Sequence, residues 1–256
     1  GSSGNAVFLS HNNTNLLIDC GISGKQVDSY LSCLDICPSD IDYILVTHEH
    51  SDHTKGVGIM SRRYNIPIIA SRGTWEGMEI GNIKDENKIV FNSHEQLDIK
   101  GIGVTPFDIP HDALQPTGYR FDLGTKSFAV ATDMGHITET VKENLKGCEV
   151  VILESNYDEI MLENGPYPYY LKKRIGGSHG HLCNEDAGVL ACHLVENGTK
   201  YLMLGHLSNE NNSPETAFAS VAKELEFNDI KIGKDVLMCV APRYDISSNI
   251  GMDLKL

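Results

Sequence analysis

The sequence lacks the long apolar runs that a membrane-spanning helix needs. Among its 256 residues there is no stretch of 18 or more apolar residues, and a helix needs about that length to cross a bilayer. No charged and then apolar leader opens the chain, so no export signal is visible. These absences predict a cytoplasmic protein without a membrane partner.

Cysteine occurs without the spacing of a disulfide framework or a zinc cluster. The chain has seven cysteines, an odd number, and it contains no CxxC pair. In a chain of this length, scattered cysteines indicate free thiols in a reducing compartment. We therefore expect unpaired, structural cysteines at positions 20, 33, 37, 148, 183, 192 and 239.

Positive charge is also scarce. The chain has 21 Lys and Arg against 35 Asp and Glu, which gives a formal net charge of −14. A general nucleic-acid binder usually carries a basic face, so this balance argues against one. Bound divalent ions would reverse the local sign wherever acidic residues are ligands. The charge therefore disfavours a nucleic-acid substrate without excluding it.

Short β-like runs alternate with helical patterns along the whole chain. This alternation predicts an α/β fold, with two sheets and helices outside them in a single domain over residues 1–256. Asn184 is expected to cap the helix that follows it, and Ser213 the helix that begins with Pro214. Helical patterns lie around 24–34, 54–64, 137–145, 157–175, 185–196 and 214–226.

The stretch VTHEHSDHTKG crowds metal-binding side chains behind the apolar run YILV. Because side chains alternate in direction along a turn, His48 and His50 can point to one ion while Asp52 and His53 point to its neighbour. Imidazole and carboxylate together suit borderline ions such as Zn²⁺ or Mn²⁺. A solvated histidine loop is the alternative, and the density of the cluster favours a metal site.

Further ligand-type residues follow later apolar runs, namely His111, Asp133 and His206. A lone histidine after a strand is more often a structural residue than a ligand. Two ions, however, need more ligands than the cluster supplies, and α/β folds place their chemistry at the C-terminal ends of strands. Given the cluster, we therefore predict that His111, Asp133 and His206 are all metal ligands.

The motif THEHSDH resembles the H-x-H-x-D-H signature of the metallo-β-lactamase fold superfamily. The order of Asp19, the cluster, His111, Asp133 and His206 is also similar to that superfamily's motifs. The resemblance implies an αββα sandwich of two mixed β-sheets flanked by helices, with a dinuclear site. The implied ligands are His48, His50 and His111 for one ion, Asp52, His53 and His206 for the other, and Asp133 as the bridge.

Within that superfamily, the chain is similar to the WalJ (YycJ) group of bacterial metallo-hydrolases. Shared stretches include the opening GSSGN, which favours a native start over a cloning remnant, and GHLCNEDAG. The group is regarded as DNA exonucleases that degrade duplex DNA from the 5′ end in repair. Three other branches of the superfamily are disfavoured, because each has a different residue at a matching position. Dizinc β-lactamases have Cys where this chain has Asp133, and flavodiiron proteins have Glu where it has His50. Ribonuclease Z has His where this chain has Leu153.

The resemblance also implies roles around the ligands. Asp19 would orient the ligand loop from outside it. Asp52 is predicted to take part in catalysis as well as in metal binding. His181 is the candidate proton donor to the leaving group, with Glu154 orienting it. A surface acid and a helix-start histidine are the respective alternatives.

The basic segment before His181 and one lysine beside the cluster could contact phosphates. These residues are Lys172, Lys173, Arg174 and Lys55, and tyrosines 167, 169 and 170 could stack on bases. A solvated helix face with core tyrosines is the alternative. Competing functions are a small-molecule cyclic phosphodiesterase, a thioesterase, or a non-catalytic metal-stabilised binding protein.

Overall fold

A computed structural model describes residues 3–92 and 95–247. The chain divides into two compact units by its own contacts. Of the described residues, the N-terminal unit contains 3–92, 95–108 and 112–117, and the C-terminal unit contains 109–111 and 118–247. The first two residues of GSSGN lie outside the described residues, and the single domain over 1–256 stays a prediction.

The N-terminal unit is built on a five-stranded mixed sheet in the order β1-β2-β3-β4-β5. Strands β1 and β2 are antiparallel, and β2 to β5 are parallel. Two further strands, β6 and β7, pair antiparallel with each other. The strands are β1 (Val7–His11), β2 (Thr14–Ile18), β3 (Tyr43–Leu45), β4 (Ile68–Ser71), β5 (Lys88–Phe91), β6 (Leu97–Ile99) and β7 (Ile102–Asp108).

Helices connect the parallel strands of this sheet. Ser23 begins the first helix with a capping box that is closed by Gln26, so the sequence itself satisfies the free amides of the first turn. Apolar residues of these helices, such as Val27 and Met60, pack with strand residues in one buried cluster. The helices are α1 (Gly24–Cys33), α2 (Ser51–Thr54), α3 (Val57–Tyr64) and α4 (Arg72–Gly77).

The C-terminal unit contains a mixed sheet whose strands follow the order β12-β11-β10-β9-β8. The first four strands of that order are parallel, and β8 is antiparallel to β9. Phe121 and Phe128 stack across that pair with ring centroids 5.5 Å apart. The strands are β8 (Thr117–Asp122), β9 (Ser127–Ala131), β10 (Val150–Glu154), β11 (Tyr201–Gly205) and β12 (Leu237–Val240).

The helices of the C-terminal unit are α5 (Glu139–Leu145), α6 (Glu159–Asn164), α7 (Tyr169–Ile175), α8 (Asn184–Glu196) and α9 (Pro214–Phe227). The single helical pattern predicted over 157–175 was wrong, because Gly165, Pro166 and Pro168 separate α6 from α7. The cap predicted at Ser213 is confirmed. The cap predicted at Asn184 was wrong, since Cys183 accepts the amide of Asp186 instead.

The described cysteines are free thiols, as predicted. Five of them are buried or half-buried, whereas Cys33 and Cys37 are exposed. Burial raises the pKa of Cys20 to about 12 and that of Cys148 to about 11, so these thiols stay protonated at neutral pH. Within the described part of the chain, no helix is both long and apolar enough to cross a membrane.

Candidate metal centre

The histidine cluster of the N-terminal unit begins where β3 ends. Residues 46–50 leave the sheet as a loop, and His53 lies in the short helix α2 that follows. His48 and His53 are buried, whereas His50 and Asp52 are half-buried. Strand, loop and helix together therefore bring four ligand-type side chains to one end of a parallel strand.

Within the cluster the side chains face each other in pairs. His48 Nε2 lies 3.1 Å from His50 Nδ1, and His53 Nε2 lies 3.8 Å from Asp52 Oδ2. Thr47 Oγ1 lies 3.0 Å from His48 Nδ1. Each pair presents atoms of the kind that bind borderline divalent ions.

Asp19 supports this cluster from the end of the neighbouring strand β2. Its Oδ1 accepts the backbone amide of Thr47 at 2.8 Å, and its Oδ2 accepts the Thr47 hydroxyl at 2.8 Å. The same Oδ2 lies 2.7 Å from His53 Nδ1, and because a carboxylate is an acceptor, Nδ1 carries the proton. The lone pair of His53 is therefore on Nε2, the nitrogen that faces Asp52.

Gly21 allows the backbone beside Asp19 to approach the cluster. A Cβ at this position would lie 1.5 Å from the carbonyl oxygen of Asp52. Such a contact is possible only without a side chain, so the glycine fixes how closely the loop after β2 packs on α2.

Replacing Gly21 with alanine is expected to destabilise the protein by about 1–3 kcal/mol, because the added methyl group must displace backbone. The change in the free energy of unfolding can be measured by urea denaturation. Gly176→Ala is the matched control, since its Cβ would meet no atom closer than 3.4 Å. Equal stability of the two variants would contradict the close approach at Gly21.

A second cluster lies in the C-terminal unit, centred on Asp133. This residue follows β9, and its Oδ1 lies 3.1 Å from His206 Nε2 and 3.8 Å from His111 Nε2. His111 Nδ1 donates to the carbonyl oxygen of Gly180 at 2.9 Å, which leaves Nε2 as the acceptor nitrogen. Burial lowers the pKa of His111, so its ring is held in the neutral form that binds metals.

Glu154, the last residue of β10, connects the polar groups of this cluster. Its Oε1 lies 2.8 Å from the Nδ1 atoms of both His181 and His206. Its Oε2 accepts the backbone amides of Met134 and Leu182. Burial alone would raise the pKa of Glu154, but the charges and hydrogen bonds of the two histidines outweigh it and lower the pKa to about 2.

Two residues of this cluster have a left-handed backbone. Asp133 has φ 63° and His206 has φ 59°. This conformation costs non-glycine residues about 1–3 kcal/mol and persists where the surroundings fix it. For His206 the surroundings include Asn156, whose Nδ2 donates to the His206 carbonyl at 2.7 Å.

A network of buried asparagines was not predicted from the sequence. Asn212 Nδ2 donates to the carbonyls of Ser155 and Asn156, each at 3.0 Å, and to Asn184 Oδ1 at 2.8 Å. Asn184, expected to be a helix cap, instead accepts the Ser155 hydroxyl at 2.6 Å. These bonds hold the segment after β10 in place beneath Glu154. Asparagine is too common in loops for its position in the sequence to indicate such a role.

The chemistry of the donor set fits a divalent ion. In the C-terminal unit, ligand atoms of Asp133, Glu154, His181 and His206 all lie within 4.8 Å of one another. Imidazole nitrogens and carboxylate oxygens of this kind suit Zn²⁺ or Mn²⁺. Because the Nδ1 atoms of His111 and His206 have hydrogen-bond acceptors, their Nε2 atoms are oriented as metal-binding histidines usually are.

The basic segment predicted to bind substrate forms α7. Lys172 donates to the carbonyl of Glu163 at 2.6 Å, and Lys173 lies 5.5 Å from the ring centroid of Tyr169. Tyr169 and Tyr170 are 74% and 75% exposed, so they are not core residues. Arg174 on this helix and Lys55 at the end of α2 are also exposed.

Residues 14–206 match the family described as beta-lactamase superfamily domain. The exodeoxyribonuclease YycJ of Bacillus anthracis is 38% identical over 236 residues, covering 91% of this chain and 89% of that protein. The exodeoxyribonuclease WalJ of Streptococcus pneumoniae serotype 2 is 37% identical over 239 residues, covering 92% and 89%.

A solved structure shares the fold at low sequence identity. The metallo-β-lactamase fold protein YhfI from Bacillus subtilis has a TM-score of 0.67 and 17% identity, covering 86% of this chain and 85% of that one. The predicted metallo-β-lactamase-like αββα fold is thereby confirmed. The protein is a metal-dependent hydrolase with sites for divalent metal. The chain belongs to the β-lactamase superfamily and, within it, to the family of the exodeoxyribonucleases YycJ and WalJ.

Proposed function

We propose that the protein is a DNA exonuclease that degrades duplex DNA from the 5′ end in repair. The observation that carries the proposal is the Glu154–His181 pair, which lies in the same buried cluster as Asp133. A phosphodiester hydrolase needs a proton donor for its leaving oxygen, and this pair provides one beside the ligands. The names of the two relatives support DNA as the substrate. The direction of digestion, from the 5′ end, and the role in repair are inferred from the resemblance to the WalJ (YycJ) group.

The proposed cofactors are two divalent ions, Zn²⁺ or Mn²⁺. When bound, such ions lower the pKa of a water molecule and stabilise negative charge on phosphate oxygens. The assignment is supported by the order of the motifs and by the donor atoms of each cluster. The proposed ligands are His48, His50 and His111 for one ion, Asp52, His53 and His206 for the other, and Asp133 between them.

His181 is the proposed proton donor. Its Nδ1 lies 2.8 Å from Glu154 Oε1, so the N–H at Nδ1 donates a hydrogen bond to the carboxylate. The other ring nitrogen, Nε2, is left to act on the substrate. The negative charge of Glu154 favours the protonated imidazolium, which can give its Nε2 proton to the leaving alkoxide. Glu154 thus orients His181 and keeps it ready to donate.

The proposed phosphate contacts are Lys172, Lys173, Arg174 and Lys55. The first three lie on α7, and Ile175 at the end of that helix accepts the backbone amide of His181 at 2.9 Å. A DNA strand on α7 would therefore lie along the segment that leads to the proton donor. The exposed Tyr169 and Tyr170 are available to stack on bases.

The test is digestion of 5′-labelled duplex DNA by the purified protein with Mn²⁺ or Zn²⁺. Labelled mononucleotides or short oligonucleotides should appear first, and chelation of the metal should stop the reaction. If the protein cleaves bis(p-nitrophenyl) phosphate rapidly but leaves DNA undigested, it is instead a small-molecule phosphodiesterase. Turnover of a thioester alone would indicate a thioesterase, and no turnover with retained metal would indicate a binding protein.

A further inference from the structure

Asn5 binds directly to the histidine cluster of the N-terminal unit. Its backbone amide donates to the carbonyl of Asp52 at 2.8 Å, and its own carbonyl accepts the amide of Gly21 at 2.7 Å. Its side-chain Nδ2 lies 3.1 Å from the same Asp52 carbonyl and 2.9 Å from His53 Nε2. The last residue of GSSGN is therefore fixed at the nitrogen of His53 that is proposed to bind metal.

The hydrogen bonds determine which atom of Asn5 faces His53. The Asp52 carbonyl can only accept, so the Asn5 atom beside it is the amide nitrogen and not the oxygen. His53 has its proton on Nδ1, facing Asp19, so its Nε2 is an acceptor. One N–H of Asn5 therefore donates to the Nε2 lone pair, which is the electron pair that a metal ion would take.

We propose that Asn5 tunes how tightly a divalent ion binds at His53, by competing with the ion for Nε2. The inference rests on the proposed role of His53 as a ligand. An ion that binds Nε2 must first displace the N–H of Asn5. Because the backbone of Asn5 stays bonded to Asp52 and Gly21, the released N–H remains beside the ion, where it can donate to an oxygen of the bound phosphate.

The residue before Asn5, Gly4, packs closely against Gly21. Gly4 has φ 117°, and a Cβ there would lie 2.6 Å from the carbonyl oxygen of Gly21. Only glycine combines this conformation with so close an approach. Gly4 therefore allows the backbone beside Asn5 to pack closely on Gly21.

The experiment replaces Asn5 and measures the affinity for metal directly. Asn5→Asp removes the competing N–H and adds a negative oxygen, so the dissociation constant for Mn²⁺ is expected to fall by about tenfold or more. Asn5→Ala removes only the competitor and is expected to lower the dissociation constant by a smaller factor. Titration calorimetry with Mn²⁺ alone, and with Zn²⁺ in the presence of a chromophoric chelator, gives the values.

Asn12→Asp is the matched control, because Asn12 Nδ2 contacts His11 Nε2 at the same 2.9 Å on an exposed turn. Its metal affinity should equal that of the unaltered protein. If Asn5 only holds the loop in place, both Asn5 variants will bind metal more weakly or unchanged, and the inference is overturned while the proposed function stands. If the unaltered protein binds no divalent ion, both are overturned.

Discussion

Replacing Asp133 with alanine is expected to abolish hydrolysis of phosphodiesters and to remove at least one divalent ion from the protein. Its carboxylate is buried and approaches the Nε2 atoms of both His111 and His206. Without it, both nitrogens lose the carboxylate oxygen that lies beside them. Losing only an outer partner of a metal ligand costs about 10–100-fold in affinity or activity, so loss of this carboxylate should cost more.

The measurement pairs metal content after dialysis with the rate of DNA digestion. Asp229→Ala is the matched control, because Asp229 is exposed and has a similar left-handed backbone, with φ 59°. This control therefore measures the effect on activity and metal content of replacing an aspartate that has a left-handed backbone conformation but lies outside the cluster. An Asp133→Ala protein that keeps both its metal content and its activity would contradict the central place given to this carboxylate.

The sequence was sufficient to predict the positions of ligand-type residues in the fold. Asp19, His48 and Asp133 each follow an apolar run, and a strand with a short exit forms at each. The C-terminal ends of parallel strands lie at one edge of a sheet, and within the N-terminal unit this edge brings Asp19 to Thr47 and His53. Glu154, at the end of another apolar run, was predicted to orient His181, and its Oε1 lies 2.8 Å from His181 Nδ1.

The supporting contacts could not be predicted, because they join residues that are distant along the chain. Asn5 and His53 are 48 positions apart, and Asn156 and Asn212 are 56 apart. Neither pair has a sequence spacing that corresponds to the repeat of a helix or a strand. The division of 157–175 into two helices, by contrast, is explained by Pro166 and Pro168, which are visible in the sequence.

The strong negative charge of the chain is compatible with a DNA substrate because several acids are not available to repel it. Glu154 is fully buried and accepts from two imidazoles and two amides. Asp19 is buried and accepts from Thr47 and His53. Net charge counts these carboxylates, whereas a phosphate backbone responds to exposed charge within about 10 Å. Lys173 and Arg174 of α7 are exposed and close to His181 in the chain.

Replacing His181 with alanine is expected to slow DNA digestion by about 10²–10⁴-fold, the usual contribution of a positioned general acid. The alkoxide that leaves from DNA needs a proton, and His181, whose Nδ1 lies 2.8 Å from Glu154 Oε1, is the proposed donor. By contrast, p-nitrophenolate is a stable anion and leaves without a proton. Hydrolysis of bis(p-nitrophenyl) phosphate should therefore fall far less than digestion of DNA.

The comparison of the two substrates separates proton donation from every role that His181 could have in binding metal or holding the fold. His136→Ala is the matched control, because His136 is exposed and its Nδ1 lies 2.8 Å from the backbone carbonyl oxygen of Ser178. Both its activities should be unchanged. An equal loss on the two substrates in His181→Ala would show that the residue acts on the ions or on the structure, since only a proton donor distinguishes between the leaving groups.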